Sequence, residues 1–198
     1  MKLMTCLLLA FTLSAAADEL NAPFFRPSDL DGREIRFERT SAGTYTSETA
    51  DATIDTDFGA PLEIPRATHH APYTLPFQLP FFDGTVTRLH VTHDNALFLA
   101  EPRFPRVQHY DDLERQGAIA PMLTTDAVHP RVFVKAMRDA VRFTWRHDGA
   151  WQYTVQATLH RDGRIVFAYD APRAPDACAM LLTSGAEPVR EVVETIVV

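Results

Sequence analysis

Between Val141 and Tyr169 the chain reads VRFTWRHDGAWQYTVQATLHRDGRIVFAY, and its apolar residues recur at every second position. Val141, Phe143 and Trp145 alternate with Arg142, Thr144 and Arg146. Trp151, Tyr153, Val155, Ala157 and Leu159 alternate with Gln152, Thr154, Gln156, Thr158 and His160. Ile165, Phe167 and Tyr169 alternate with Arg164, Val166, Ala168 and Asp170. A period of two marks strands with one buried face. His147-Asp148-Gly149 and Asp162-Gly163 between them carry turn chemistry. The stretch therefore predicts three antiparallel strands, with Phe143, Trp145, Tyr153, Val155, Leu159, Ile165 and Phe167 in a shared core. Arg142, Gln156, Arg164 and the other polar members are expected in solvent. Trp, His, Asp and Arg stand close together here because strands alternate, and the pattern gives no reason to read them as a catalytic cluster.

The same short alternation runs through most of the chain. It predicts strands at Glu34–Arg39, Thr44–Thr46, Tyr73–Gln78, Arg88–Thr92, Ala96–Leu99, Arg131–Lys135, Ala140–Arg146, Trp151–His160, Arg164–Asp170 and Cys178–Leu182. Asp83-Gly84 supplies a further turn. Helical spacing is confined to one turn at Tyr110–Gln116, and the Val, Ile and Thr content of Pro188–Val198 favours a last strand or an extension. The expected fold is all-β, an antiparallel sandwich of about ten short strands with little helix. Residues 18–33 read as an irregular lead-in.

Composition changes the picture in three places. The 198 residues fit one domain with short extensions. Fourteen Pro, eight Gly and thirteen Phe suit many ended strands. A net charge of −7 with scattered Lys and Arg excludes the clustered cations that nucleic acid requires. The N-terminus, MKLMTCLLLAFTLSAAADEL, has Lys2 before an apolar run from Leu7 to Leu13, then the small residues Ala15-Ala16-Ala17. That is the form of a secretory signal spanning residues 1–17. The run is too short to span a bilayer, so no membrane span is expected after cleavage. The protein is expected to be secreted, periplasmic or at the cell surface. Cleavage removes Cys6 and leaves Cys178, so no internal disulfide forms; APDACAMLLTSG around Cys178 has no base, which suits a small buried apolar residue.

Four longer stretches follow in a specific order: LPFQLPFFDGTVTRLHVTHDNALFL at Leu75–Leu99, GAIAPMLTTD at Gly117–Asp126, RVFVKAMRDAVRFTW at Arg131–Trp145 and YTVQATLHRDGRIVFAYD at Tyr153–Asp170. With the lead-in FGAPLEIP at Phe58–Pro65, they resemble the nidogen-like β-sandwich modules of secreted bacterial proteins and animal matrix proteins. The resemblance covers residues 34–185, leaving 186–198 as the C-terminal extension. It implies an adhesive, matrix or protein-binding module with no catalytic role and no cofactor. Its partner would be a protein or glycan at the cell surface or in the matrix. The chain departs from the family pattern at His93-Asp94-Asn95-Ala96, where Asn-Gly is usual, so the turn must rely on Asn95 for a positive φ. It departs again after Pro121, where Met122-Leu123-Thr124-Thr125 delays the acid to Asp126.

Histidine is the main reservoir of rival chemistry. Of eight, His69, His70, His90, His93 and His109 lie near the middle of the chain and are the candidates for a metal site of the copper or zinc kind. Their spacing is not that of a zinc motif, and His90 and His93 have opposite strand parity. No Gly-x-Ser-x-Gly elbow precedes Ser184-Gly185. Asp111, Asp112 and Glu114 supply carboxylates whose separation a sequence does not reveal, and they read as a charged loop. No catalytic residue is assigned. Three functions remain in order: a non-catalytic protein-binding module, a carbohydrate or small-ligand binding domain marked by aromatics on an outer sheet face, and a histidine-based metalloprotein or enzyme.

Overall fold

A computed structural model describes residues 24–25, 27–102, 116–123, 129–173 and 178–184. The expected signal segment, His109, the acids at 111, 112, 114 and 126, the expected turn at Tyr110–Gln116 apart from Gln116, and the tail 188–198 lie outside them, as does the side chain of Cys178. The described chain forms thirteen strands and one turn of 3-10 helix at Pro27–Leu30. They are β1 (Phe24–Phe25), β2 (Arg33–Arg39), β3 (Tyr45–Asp51), β4 (Ala60–Pro61), β5 (His70–Phe81), β6 (Gly84–Thr92) and β7 (Leu97–Phe98). There follow β8 (Ala118–Leu123), β9 (Arg131–Ala136), β10 (Ala140–Asp148), β11 (Gln152–His160), β12 (Ile165–Arg173) and β13 (Cys178–Thr183).

Two antiparallel sheets result, ordered β1-β13-β8-β7-β6-β5 and β3-β2-β12-β11-β10-β9-β4. The all-β sandwich expected from the alternation is the observed architecture. The stretch from Val141 to Tyr169 forms three neighbouring strands of the larger sheet, with Trp145 opposite Val155 and Ala157 opposite Phe167. Asp162-Gly163 closes the β11–β12 hairpin: Gly163 sits at φ 94°, and the Arg164 amide donates to Asp162 Oδ1 at 3.0 Å. At the β5–β6 turn the residues at the corner are Phe82 and Asp83, while Gly84 already pairs with Phe81. Phe82 takes φ 47°, unusual for a bulky side chain. Its carbonyl accepts from Arg39 Nε at 2.8 Å, and its ring packs edge-on against Tyr45.

The core lies between the sheets. Phe143, Trp145, Tyr153, Val155, Leu159, Ile165 and Phe167 are all buried, facing Leu79, Leu89, Val91, Leu97 and Ile119 among others in one cluster. Polar tips of aromatic residues tie one sheet to the other. Trp145 Nε1 donates to the Thr92 carbonyl at 2.8 Å and Tyr169 Oη to the Pro121 carbonyl at 2.8 Å. Asn95, fully buried at φ 57°, donates to the Met122 carbonyl at 2.9 Å. The non-glycine turn thus uses Asn95 as the sequence requires.

One face assignment needs correction. Gln156 is on the outer face of the larger sheet, as its parity demands, yet it is only 2% exposed; Thr144, Thr154 and Thr158 beside it are buried too. The cause is the segment 52–59, which leaves β3, crosses this face and ends in β4 against β9. Gln156 Nε2 donates to the Asp55 carbonyl at 2.8 Å and to Thr144 Oγ1 at 3.2 Å. Arg142, also expected in solvent, donates from Nη1 to the Asp55 carboxylate and from Nε to Thr158 Oγ1 at 3.0 Å. A polar outer face becomes a second, hydrogen-bonded interior once a loop is laid over it.

Candidate functional site

The segment that covers the sheet is held by its own acids. Asp55 accepts from the Asp57 amide at 2.9 Å, from Lys135 Nζ at 3.0 Å and from Arg142. Lys135 Nζ also meets Asp57 at 3.0 Å. The Asp57 amide, then Lys135 and Arg142, stabilise the ionised carboxylate, and the Asp55 pKa is lowered from 3.8 to about 2. A depressed carboxylate pKa contributes stability that is complete above about pH 4 and is lost as pH falls through about 2. Its side chain is 38% exposed, so solvent screens part of the effect. Urea unfolding of the wild type and Asp55→Asn should therefore show midpoints well separated at pH 6 and converging towards pH 2. A separation that persists unchanged at pH 2 would show that ionisation of Asp55 does not hold the segment down.

Beside this anchor the covering is incomplete and leaves a cleft of about 630 Å³. One wall is the segment itself, through Thr53, Ile54, Thr56 and Phe58; Asp31 and Gly32 close one end. The floor is the outer face of β10, β11 and β12, where Arg146 lies opposite Thr154 and Thr154 opposite Asp170. The irregular pairing between Gln152 and Thr154 falls at this row. Arg146 donates from Nε to Asp148 Oδ1 at 2.8 Å and lies 5.7 Å over the Phe58 ring. Asp148 also accepts from Arg131. Arg146 first, and Arg131 after it, hold the Asp148 carboxyl below its ordinary pKa. His147 stacks on Tyr153 at 5.7 Å, and its Nδ1 lies 2.7 Å from the Trp151 carbonyl oxygen and 3.2 Å from the Gly149 amide nitrogen. The Gly32 amide donates to the Tyr169 carbonyl at 3.0 Å and the Ala171 amide to Asp31 Oδ1 at 2.8 Å, which fixes Asp31 beside Asp170.

The histidines singled out from the sequence lie elsewhere. His70 and His90 are diagonal neighbours on β5 and β6, with Nδ1 atoms 3.2 Å apart and ring centroids 5.0 Å apart. Glu101 Oε1 stands 3.6 Å from His70 Nε2. Burial, followed by the His70 ring, lowers the pKa of His90. His93, whose pKa is lowered chiefly by burial, contacts the Pro130 carbonyl through Nδ1 at 3.2 Å and lies edge-on to His129 at 5.1 Å. His69 sits at φ 59° close enough to His93 to affect its titration. The structure thus pairs His70 with His90 and His93 with His129. Among the described residues no three His, Cys, Asp or Glu are grouped to hold a metal ion.

Sequence reasoning missed the cleft because its wall has no periodicity. Its floor residues were recognised only as outward-facing positions, and the Asp-rich run DATIDTDFG at 51–59 was the available signal of a segment able to bridge to Lys and Arg. The chain matches no family model, no curated protein and no solved structure. No helix among the described residues is long and apolar enough to cross a membrane.

Proposed function

We propose that the protein is an exported, non-catalytic β-sandwich module of the nidogen-like kind, binding a protein or glycan partner at the cell surface or in the matrix. The observation that carries this reading is the cleft on the outer face of the larger sheet. It is concave, combines the apolar Ile54 and Phe58 with polar groups, and sets a floor of strands against a segment pinned by Asp55. The charged groups at one end are committed to the scaffold: Arg146 to Asp148, Asp148 to Arg131, and His147 to a backbone carbonyl. Such groups shape a binding surface without supplying a nucleophile and base pair. The ordered motifs from Leu75 to Asp170 support the nidogen-like assignment. A glycan as the partner draws support from Phe58 at the wall beside Gln152 and Thr154, since sugars are held by an apolar face and hydrogen bonds together.

The test is binding of the purified protein to immobilised collagen, fibronectin, laminin and a glycan panel, followed by mass spectrometry of the bound component. Saturable binding to at least one component, recovered with unchanged mass, is expected. Cleavage or modification of that component, or no binding across the panel, would reject the reading. A metal role retains one supporting observation, the close Nδ1 atoms of His70 and His90. Zinc or copper in the purified wild type and its loss in His90→Ala would favour that role instead.

A further inference from the structure

Among the described residues the two sheets end in four edge strands: β1 and β5 bound the smaller sheet, β3 and β4 the larger. An edge strand presents unpaired N–H and C=O groups to any extended chain, and proteins blunt it with short strands, prolines or irregular pairing. β1 and β4 are two residues each. β5 carries Pro72, Pro76 and Pro80, and its pairing shifts between Thr74 and Leu79. β3 has none of these devices. Its seven residues, Tyr45–Asp51, contain no proline and pair with β2 in one unbroken register.

The alternation of hydrogen bonds fixes which groups β3 presents. Just beyond one end the Thr40 amide donates to the Thr44 carbonyl, and just beyond the other the Ala52 amide donates to the Gly32 carbonyl, both at 2.8 Å. The even-numbered residues of β3 therefore turn their backbone groups towards β2, and Tyr45, Ser47, Thr49 and Asp51 turn theirs outwards. The amides and carbonyls of these four have no hydrogen-bond partner among the described residues. The Tyr45 hydroxyl donates to the Gly163 carbonyl at 3.1 Å and its ring packs edge-on against Phe82, which holds one end of the edge in place.

β3 also carries charge of one sign. Glu48 and Asp51 are 62% and 94% exposed, and the strand has no cation of its own. That pattern decides the occupant. Antiparallel pairing with a second copy through all four outward residues sets Tyr45 against Asp51 and Ser47 against Thr49. The same register opposes the two Glu48 carboxylates, and like charges directly opposite are destabilising. A basic residue opposite Glu48 is attracted instead. We infer that β3 is a docking edge, separate from the cleft, that takes an extended basic segment of a protein partner as an added antiparallel strand. Main-chain bonds to the four outward residues supply affinity. Lys or Arg opposite Glu48 and Asp51 supplies the preference. The net charge of −7 favours the approach of such a segment.

The experiment is amide hydrogen exchange of the purified protein by NMR, alone and with the acetylated, amidated peptide Lys-Thr-Thr-Lys-Thr-Thr-Thr, whose lysines align with Asp51 and Glu48. In the free protein the amides of residues 45, 47, 49 and 51 are expected to exchange fast and those of 46, 48 and 50 slowly. With peptide at about ten times its dissociation constant, the first set should slow about tenfold. N-methylation of the third and fifth peptide residues, which face β3, should abolish the effect, and N-methylation of the second and sixth, which face away, should not. Glu48→Gln should weaken binding about two- to fivefold, the range of an exposed ion pair, and a peptide with Glu in place of Lys should be ignored. Thr49→Pro removes an outward donor without touching the bonds to β2 and should weaken binding about tenfold or more. Matched thermal midpoints confirm that this variant folds, and the methylated peptides make the same test on the unaltered protein. Slow exchange at 45, 47, 49 and 51 in the free protein would show the edge covered by another part of the chain and overturn the inference. No slowing there with the lysine peptide, or equal binding of the peptide methylated at its third and fifth residues, also overturns it. Slowing confined to 31–32, 52–58 and 152–154 overturns it and leaves the cleft as the partner site.

Discussion

Replacing Phe167 with alanine is expected to lower the unfolding free energy by about 3–5 kcal/mol, the range for removing a large aromatic from a packed core. Phe167 is fully buried on β12, between β11 and β2, with its ring edge-on to Phe37 at 5.1 Å and 64°. Its neighbours are backbone-paired strands on both sides, so the site has little freedom to collapse around the void. Urea titration should show a lower midpoint with an unchanged slope. A loss below about 1 kcal/mol would contradict the central position given to this ring.

Trp145→Ala is expected to cost at least as much as the Phe167 substitution, again about 3–5 kcal/mol from the cavity, with a further loss from the bond between sheets. Trp145 is the largest of the fully buried side chains, and its indole N–H reaches the Thr92 carbonyl on the opposite sheet at 2.8 Å. Removing the donor leaves that carbonyl buried without this partner, a penalty of about 1–3 kcal/mol. Trp145→Phe separates the two contributions, because it keeps most of the ring volume and removes the donor. The expected order of stability by thermal or urea unfolding is wild type, then Trp145→Phe, then Trp145→Ala. A Phe variant as stable as the wild type would show that the inter-sheet hydrogen bond adds nothing.

The core was legible because strand periodicity is local. Tyr153, Val155, Ala157 and Leu159 share a face by parity alone, and Asp162-Gly163 announces the turn that returns Ile165, Phe167 and Tyr169 to the same core. What parity does not say is whether the other face meets water. Gln156 and Arg142 have the composition of solvent-facing positions, yet the covering segment reaches them from Asp55, 101 and 87 residues away in sequence. That segment has no repeat of its own, and its placement depends on ion pairs with Lys135 and Arg142, which the pairing of β9 with β10 sets opposite each other. The same holds for the cleft: Arg146, Thr154 and Asp170 become neighbours through the register of three strands, one of them irregular between Gln152 and Thr154. His70 and His90 likewise meet only through the pairing of β5 with β6. Asn95 was readable from its turn chemistry, but its buried bond to Met122 spans two separate parts of the chain.

Hydrogen–deuterium exchange tests the proposed partner site on the outer face of the larger sheet most directly. The measurement compares the free protein with its complex with whichever of collagen, fibronectin, laminin or the panel glycans it binds. Slowed exchange is expected at 31–32, 52–58 and 152–154, the segments that border the cleft. Slowed exchange confined to His70, His90, His93 and their strands, with the cleft unchanged, would contradict it.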